Sequence, residues 1–149
     1  MMQVPRSALW LGLAGLIPFV WGAASAMVPA LAAASYEVLP PVFVGAVVLV
    51  TYGTVILSFM SGVLWGFATK ATGREAAVGY ALSVLPALWA FIMVRDTSHE
   101  SLIWLAAGFA ALLALDLSFA RQGLAPAWWM RLRVLLTGIV LGCLLLPLV

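Results

Sequence analysis

The stretch PVFVGAVVLVTYGTVILSFMSGVLWGFAT, residues 41–69, decides the fold because it contains no charged side chain. About 20 apolar residues are enough to cross the roughly 30 Å hydrocarbon core of a bilayer as an α-helix. The rest of the chain has the same character. Of its 149 residues, 66% are hydrophobic and 8% are charged, whereas soluble domains are roughly 25% charged. The sequence therefore predicts an integral membrane protein and excludes a water-soluble fold.

The composition also excludes several classes of function. The single cysteine, Cys143, and the single histidine, His99, cannot form a disulfide framework, a CxxC redox pair or a metal site built from histidine and cysteine. Seven scattered Lys and Arg residues do not make the continuous basic surface that nucleic-acid binding requires. We therefore expect no cofactor, no metal ion, no nucleic acid and no soluble substrate.

Charged residues separate five apolar stretches, each long enough to span a membrane. They predict an all-α fold, a compact bundle of five transmembrane helices in a single domain over residues 1–149. The expected helices cover about residues 8–33, 41–69, 76–94, 101–120 and 127–146. A membrane β-barrel would instead show strands of about 10 residues with alternating polarity. Residues 24–26 imitate a signal-peptide cleavage site, but the apolar run around them exceeds the roughly 7 to 15 residues of a signal core.

Lysine and arginine are unevenly divided between the two ends of the predicted bundle. One end, which includes the N-terminus, carries Arg6, Lys70, Arg74, Arg121, Arg131 and Arg133, whereas the other end carries only Arg95. Because short basic loops stay on the cytoplasmic side, we expect a multi-pass protein of the bacterial inner membrane with a cytoplasmic N-terminus and a periplasmic C-terminus. An aromatic belt at the lipid interface is expected from Trp10, Trp65, Trp128 and Trp129.

Asp116 is the only ionisable residue expected inside a span, which makes it a candidate for function. It lies about one turn from the end of the fourth predicted helix, and Arg131 in the fifth is expected at a similar depth. A salt bridge across this hairpin is therefore predicted. Because Arg131 and Arg133 point to nearly opposite faces, one can pair with Asp116 while the other reaches lipid phosphates. A structural clasp is favoured here over a proton or ion site.

Small residues recur at four-residue spacing on two of the predicted helices. Ser58, Gly62 and Gly66 share one face of the second helix, and Gly138 and Gly142 share a face of the fifth. Such ridges let helix backbones approach closely, and hydroxyl groups add hydrogen bonds between helices. The pattern predicts either packing within the bundle or docking to another membrane subunit.

Polar side chains of the second helix suggest an alternative function. They are Thr51, Tyr52, Thr54, Ser58 and Ser61. Together with a kink at Pro18, they could line a solute path, as in a small oligomeric solute or ion transporter. A membrane-embedded enzyme acting on lipid has support only from Asp116 and the arginines near the headgroups.

Several motifs are similar to those of a known family. They are residues 11–19 (LGLAGLIPF), Tyr52 with residues 56–59 (ILSF) and 65–66 (WG), residues 83–86 (SVLP), and Asp116 with residues 121–128 (RQGLAPAW) and 131–133 (RLR). On these motifs the chain resembles the five-helix membrane proteins that include human transmembrane protein 69 and its bacterial relatives. Leu64 departs from the family, in which histidine or arginine often precedes the Trp-Gly pair. The resemblance implies five helices in a bacterial or mitochondrial inner membrane and no particular activity.

Short loops, the lack of catalytic clusters and this resemblance together favour one function. We expect a non-enzymatic accessory or assembly subunit that docks onto a larger membrane complex, respiratory or photosynthetic. Its expected partners are membrane lipids and other integral membrane subunits.

Overall fold

The computed structural model describes residues 3–149, in which the regular structure is helical and no strand occurs. The helices are α1 Arg6–Ala14, α2 Ile17–Met27, α3 Pro29–Tyr36, α4 Ala46–Ala68, α5 Gly73–Met93, α6 His99–Arg121 and α7 Trp129–Leu145. Short 3-10 turns occupy Pro41–Phe43 and Leu146–Leu148. Five segments are long and apolar enough to cross a membrane, namely α1 with α2, α4, α5, α6, and α7 with the 3-10 turn that follows it. The predicted all-α bundle of five transmembrane helices is confirmed.

The first span is interrupted at Gly15 and Leu16, where α1 ends and α2 begins. Pro18 has no N–H to offer the carbonyl of residue 14, so the helix cannot continue its regular bonding through this point. At its other end, α2 stops at Met27 because Val28, which precedes Pro29, adopts an extended backbone with φ −112° and ψ 97°. The first helix, expected to reach residue 33, is therefore shorter than predicted.

The connection between the first two spans is longer than the sequence suggested, since α4 begins at Ala46 rather than at residue 41. It enters α4 through Gly45, whose φ of +67° is one that residues with a side chain rarely adopt. The Gly45 N–H donates to the Ser25 hydroxyl at 2.8 Å, and the Trp21 indole donates to the Phe43 carbonyl at 2.7 Å. These bonds fasten the connection to α2.

The remaining helix ends differ from the predicted ones by at most three residues. Pro86 does not break α5, although it removes the N–H that would bond to the carbonyl of Leu82. One residue further along, the Ser83 carbonyl accepts a hydrogen bond from the Ser61 hydroxyl of α4. A neighbouring helix thus binds the backbone where the proline perturbs it, as is common in membrane helices.

Helix α4 forms the centre of the bundle and packs against α2, α5 and α6, while α7 packs against α6 and α2. Leu57 and Leu64 of α4 are completely buried, and Phe19 and Phe109 pack edge to face in the same core. Close approach depends on Gly108, where an added Cβ would lie 2.7 Å from Leu57 Cδ2. Without a hydrophobic driving force between helices in lipid, such tight packing contributes much of the stability.

Two contacts identify the ends of the bundle. The Lys70 ammonium donates to the Leu124 carbonyl at 2.8 Å, which places the α4–α5 turn beside the α6–α7 turn. Gly12 of α1 lies against Leu136 of α7, so the N-terminal residues share this end. At the opposite end, Tyr36, Thr97 and Pro147 line a common cleft. The basic residues named above, apart from Arg95, therefore belong to one end of the bundle.

The loop before α6 is organised around Asp96. Its carboxylate accepts hydrogen bonds from the hydroxyl and N–H groups of Ser98 and from the Ser101 hydroxyl. These bonds lower the pKa of Asp96 below its ordinary value, and the bonds from Ser98 contribute most. A carboxyl group whose pKa is lowered by folding stabilises the fold at neutral pH. That contribution is lost as the pH falls through the lowered pKa. The start of α6 is therefore fixed across the physiological pH range.

Candidate functional site

A charged cluster lies inside the bundle where α6 and α7 cross. Asp116 is 0% exposed. One of its oxygens, Oδ2, is 2.6 Å from Nε of Arg133, which is 5% exposed. The other oxygen, Oδ1, accepts a hydrogen bond of 2.7 Å from the Trp129 indole. Both carboxylate oxygens are thus occupied by donors from α7.

Helix register explains which arginine reaches the aspartate. Asp116 precedes the end of α6 by five residues and Arg133 follows the start of α7 by four, so at about 1.5 Å per residue both lie roughly 6 to 8 Å from the helix ends. Arg131 lies about 200° around the helix from Arg133 and is exposed. The structure brings Arg133 and not Arg131 to Asp116. Because α7 begins at Trp129 rather than at residue 127, Arg131 is shallower than the sequence suggested.

Trp129 has a different environment from the other tryptophans expected at the lipid interface. Its ring packs edge to face against Phe67 with centroids 5.1 Å apart, and its N–H is bound to Asp116. Trp10 and Trp65 are 69% and 48% exposed, whereas Trp128 is partly buried. Trp129 therefore contacts both Phe67, near the C-terminal end of α4, and the buried ion pair.

The ion pair is a structural element that is costly to break. Two charges taken out of water lose several kcal/mol of hydration each, and removal of one partner leaves the other uncompensated, at a cost of about 3–5 kcal/mol. Each partner is nearly or completely buried, and the hydrogen bond from Trp129 adds a third component. The arrangement can hold α6 and α7 in one register and can fix the direction of the Arg133 guanidinium.

Beside the ion pair lies a cavity of about 240 Å³ between α1, α2, α4, α6 and α7. Its walls are mostly apolar, but they include the side chains of Arg133 and Thr137, one turn apart on α7. Within residues 3–149, the Arg133 Nη2 and Thr137 Oγ1 atoms are the buried side-chain polar atoms without a hydrogen-bond partner. In this cavity the polar side chains of Arg133 and Thr137 lie beside apolar walls.

The small-residue ridges lie on the outside of the bundle. A Cβ added at Gly62, Gly66, Gly138 or Gly142 would have no atom within 4 Å apart from its own neighbours along the chain. Ser58 is also exposed. These residues therefore do not provide close packing within the bundle, which was one of the two expectations. The glycines that do so are Gly12, Gly22, Gly53, Gly79 and Gly108.

A groove of about 380 Å³ lies on the surface where the α4 ridge meets α5. Small residues line it on both helices, and Trp65, Val84 and Leu88 are its largest lining side chains. Trp65 is 48% exposed, Val84 37% and Leu88 50%. The groove therefore faces the lipid side of the bundle.

Three of the polar residues of α4 are engaged in hydrogen bonds. The Tyr52 hydroxyl donates to the Gly15 carbonyl at 3.0 Å, and Ser61 donates to Ser83. The Thr51 hydroxyl bonds back to the Val47 carbonyl of its own helix at 2.6 Å. Thr51, Thr54, Ser58 and Ser61 lie within about 80° of one another around α4, but the hydroxyl groups of Thr51, Tyr52 and Ser61 bind to three different parts of the molecule.

The cluster also shows what the sequence argument missed. Within residues 3–149, no group of three or more His, Cys, Asp or Glu side chains could hold a metal ion. Trp129 was expected at the lipid interface rather than at the ion pair, and Thr137 was not predicted as a site residue. Thr137 lies four residues after Arg133 in the sequence, and this spacing, which puts both on one helix face, was the available signal.

The comparisons with known proteins agree on one family. A family model described as "Protein of unknown function (DUF3429)" matches residues 4–149. Transmembrane protein 69 of Xenopus tropicalis is 35% identical over 139 residues, which cover 91% of this chain and 51% of that protein. Transmembrane protein 69 of Mus musculus is 28% identical over 141 residues, which cover 92% and 53%. The chain thus spans about half the length of these relatives. No solved structure matches it.

Proposed function

The chain belongs to the DUF3429 family, and we propose that this multi-pass membrane protein is a non-enzymatic accessory subunit. Its task is to receive a transmembrane helix of another integral membrane protein in the groove between α4 and α5. The observation that carries the proposal is the exposed ridge of Ser58, Gly62 and Gly66 at the edge of this groove.

The chemistry of the groove suits a helix. In lipid, helices associate through close van der Waals packing, which small residues permit because they let two backbones approach. Ser58, Ser61 and Gly62 on α4, with Ser83 and Ala87 on α5, provide such a surface, and Trp65 and Leu88 can pack against the flanks of an inserted helix. A lipid chain would gain less here, since it offers no rigid surface of matching shape.

The concave shape favours a partner other than a second copy. A two-fold symmetric dimer apposes the same surface of both subunits, so that surface must be complementary to itself. Two grooves facing each other would enclose a gap instead of packing ridges into holes. A single convex helix from a different protein fills the groove without that gap.

The transporter alternative has less support. The hydroxyl groups of Tyr52 and Ser61 are bound to the carbonyls of Gly15 and Ser83. A hydroxyl group engaged in the bundle is not free to exchange hydrogen bonds with a passing solute. The charges of Asp116 and Arg133 likewise compensate each other, which leaves no free charge for an ion path.

For orientation, we propose that the end carrying the basic residues faces the cytoplasm of a bacterial cell. Short loops rich in Lys and Arg are retained on that side, and Lys70 and Arg74 lie at this end, opposite Thr97. We expect a membrane-impermeant maleimide to label the Thr97→Cys variant in intact cells and to leave the Thr72→Cys variant unlabelled until the cells are lysed. Labelling in the opposite order would contradict the orientation. The native Cys143 is buried and serves as the background control.

Docking is tested by a photoreactive phenylalanine analogue incorporated at Leu88 in the groove. We expect ultraviolet light to produce one main protein adduct in native membranes, with the cross-linked peptide lying in a transmembrane segment of another protein. A matched probe at Val134 on α7, which is 56% exposed, should give no such adduct. Introducing Gly62→Leu into the chain with the probe at Leu88 should lower the adduct yield at least about fivefold, because the added side chain occupies the ridge.

Three results would contradict docking. They are adducts only with lipid, adducts only with a second copy of this chain, and an adduct yield that Gly62→Leu leaves unchanged. Because Gly62 is exposed and has open space around its Cα, the variant should fold as the parent does. Circular dichroism of the purified variant checks this.

A further inference from the structure

The cavity beside Arg133 has the properties of a binding site for a small membrane-soluble molecule. We propose that it binds the carbonyl oxygen of a neutral hydrophobic molecule, which accepts hydrogen bonds from Arg133 and Thr137. This site is separate from the groove between α4 and α5. The two proposals can therefore fail independently of each other.

The first line of support is the state of the two polar side chains. Arg133 and Thr137 are 5% and 1% exposed, and both line the cavity. Each has a buried polar atom without a partner, Nη2 in Arg133 and Oγ1 in Thr137. A buried polar atom without a hydrogen bond is destabilising, so two such atoms on residues that line one cavity point to a ligand that would satisfy them.

Among the buried hydroxyl groups on the helices of residues 3–149, the one without a hydrogen-bond partner is that of Thr137. The Thr51 and Ser35 hydroxyl groups bond to carbonyls four residues earlier, at 2.6 Å in each case. Thr137 occupies the equivalent position relative to Arg133 within α7, where such a bond is commonly available. Its hydroxyl is nevertheless unpaired and can donate to a ligand instead.

The charge balance selects the chemistry of the ligand. The Arg133 charge is already compensated by Asp116 through Nε, at 2.6 Å from Oδ2. A second anion would bring two negative charges against one guanidinium in a medium where charges are costly. A neutral carbonyl oxygen accepts the remaining N–H bond without adding charge. The Arg133–Asp116 pair thus favours a neutral acceptor over a carboxylate or phosphate.

The walls and the opening of the cavity indicate the chemistry of the rest of the ligand. Phe19, Phe59 and Phe109 line the cavity with aromatic rings, which suits an apolar body. Leu11 and Phe59 are 75% and 65% exposed, so the cavity opens to the surrounding lipid at these residues. A molecule dissolved in the bilayer can enter sideways and leave an alkyl tail outside. Two sources share this chemistry, the ester carbonyl of a glycerolipid and the ring carbonyl of an isoprenoid quinone.

The test measures the thermal unfolding midpoint of the purified full chain in an alkyl maltoside detergent, which has no carbonyl group. The added probes are decylubiquinone, a short-chain diester phospholipid, the diether analogue of that lipid, and decylbenzene. We expect decylubiquinone, the diester lipid or both to raise the midpoint in a saturable manner. The diether lipid and decylbenzene, matched in shape but lacking carbonyl groups, should not. A shift with only one carbonyl probe identifies the source.

The Thr137→Val variant separates binding from folding. It keeps the side-chain shape and removes the unpaired hydroxyl, so without probe its midpoint should be no lower than that of the parent. The loss of one hydrogen bond of about 1 kcal/mol should raise the Kd of the effective carbonyl probe about fivefold. Ser118→Ala on α6, away from the cavity, is the control and should keep the parent Kd.

The proposal is overturned by any of three results. The first is that no carbonyl probe shifts the midpoint of the parent protein. The second is an equal shift by decylbenzene or the diether lipid, which would mean that the cavity only accepts apolar volume. The third is an unchanged Kd in Thr137→Val.

Discussion

Replacement of Asp116 by alanine is expected to destabilise the protein by about 3–5 kcal/mol, because the Arg133 guanidinium then stays buried without its counter-ion. The Trp129 indole N–H would lose its acceptor as well, since both groups bond to this carboxylate. The measurement is unfolding of the purified protein by sodium dodecyl sulfate in mixed micelles, followed by the circular dichroism of its helices.

The matched control for this substitution is Arg131→Ala. Arg131 precedes Arg133 by two residues but is exposed, so its removal should change the free energy of unfolding by no more than about 0.5 kcal/mol. If the two alanine variants lost the same stability, the buried pair would not be the main electrostatic contact between α6 and α7.

The second large effect is expected for Gly108→Val in α6. An added Cβ at Gly108 lies 2.7 Å from Leu57 Cδ2 and 2.9 Å from Trp89 Cδ1. Trp89 cannot move aside freely, because its indole donates to the Trp104 carbonyl at 2.8 Å. Overpacking of this kind costs about 1–3 kcal/mol and forces helices apart. The same unfolding measurement should show this loss for Gly108→Val.

Gly138→Val on α7 is the control for overpacking. A Cβ at Gly138 meets no atom within 4 Å, so the stability should stay within about 0.5 kcal/mol of the parent value. Equal losses for the two glycine variants would indicate that helix propensity rather than interhelical distance decides the outcome. A stable Gly108→Val protein would contradict the close crossing of α4 and α6.

The sequence predicted the spans well because charges are scarce and their positions mark the helix ends. It was less successful for the first span, since two prolines at positions 18 and 29 act locally. Pro29 ended the helix by forcing Val28 into an extended conformation. The preceding apolar run gave no indication of that break, because hydropathy is equal on both sides of it.

The candidate site was only partly accessible from the sequence. Scarcity of charge identified Asp116, and the spacing of Arg131 and Arg133 showed that only one of them could face it. The choice between them depended on where α7 begins, which shifts depth by about 1.5 Å for each residue. The cavity and the unpaired Thr137 hydroxyl depend on the packing of five helices, which no local pattern encodes.

The direction of the small-residue ridges could not be predicted either. Spacing of four residues puts Ser58, Gly62 and Gly66 on one face, but it does not say whether another helix of the same chain covers that face. In the structure α5 lies beside this ridge rather than on it, which leaves the groove. Gly53 and Gly108, which lack such a repeat, provide the tight contacts instead.

The most direct test of the site is the coupling energy between Asp116 and Arg133 in a double-mutant cycle. The free energies of unfolding are measured for the parent, Asp116→Ala, Arg133→Ala and the double variant, and the same cycle is run with Arg131→Ala. We expect a coupling above about 1.5 kcal/mol for Asp116 with Arg133 and below about 0.5 kcal/mol for Asp116 with Arg131. A coupling near zero for Arg133, or a larger one for Arg131, would contradict the buried pair.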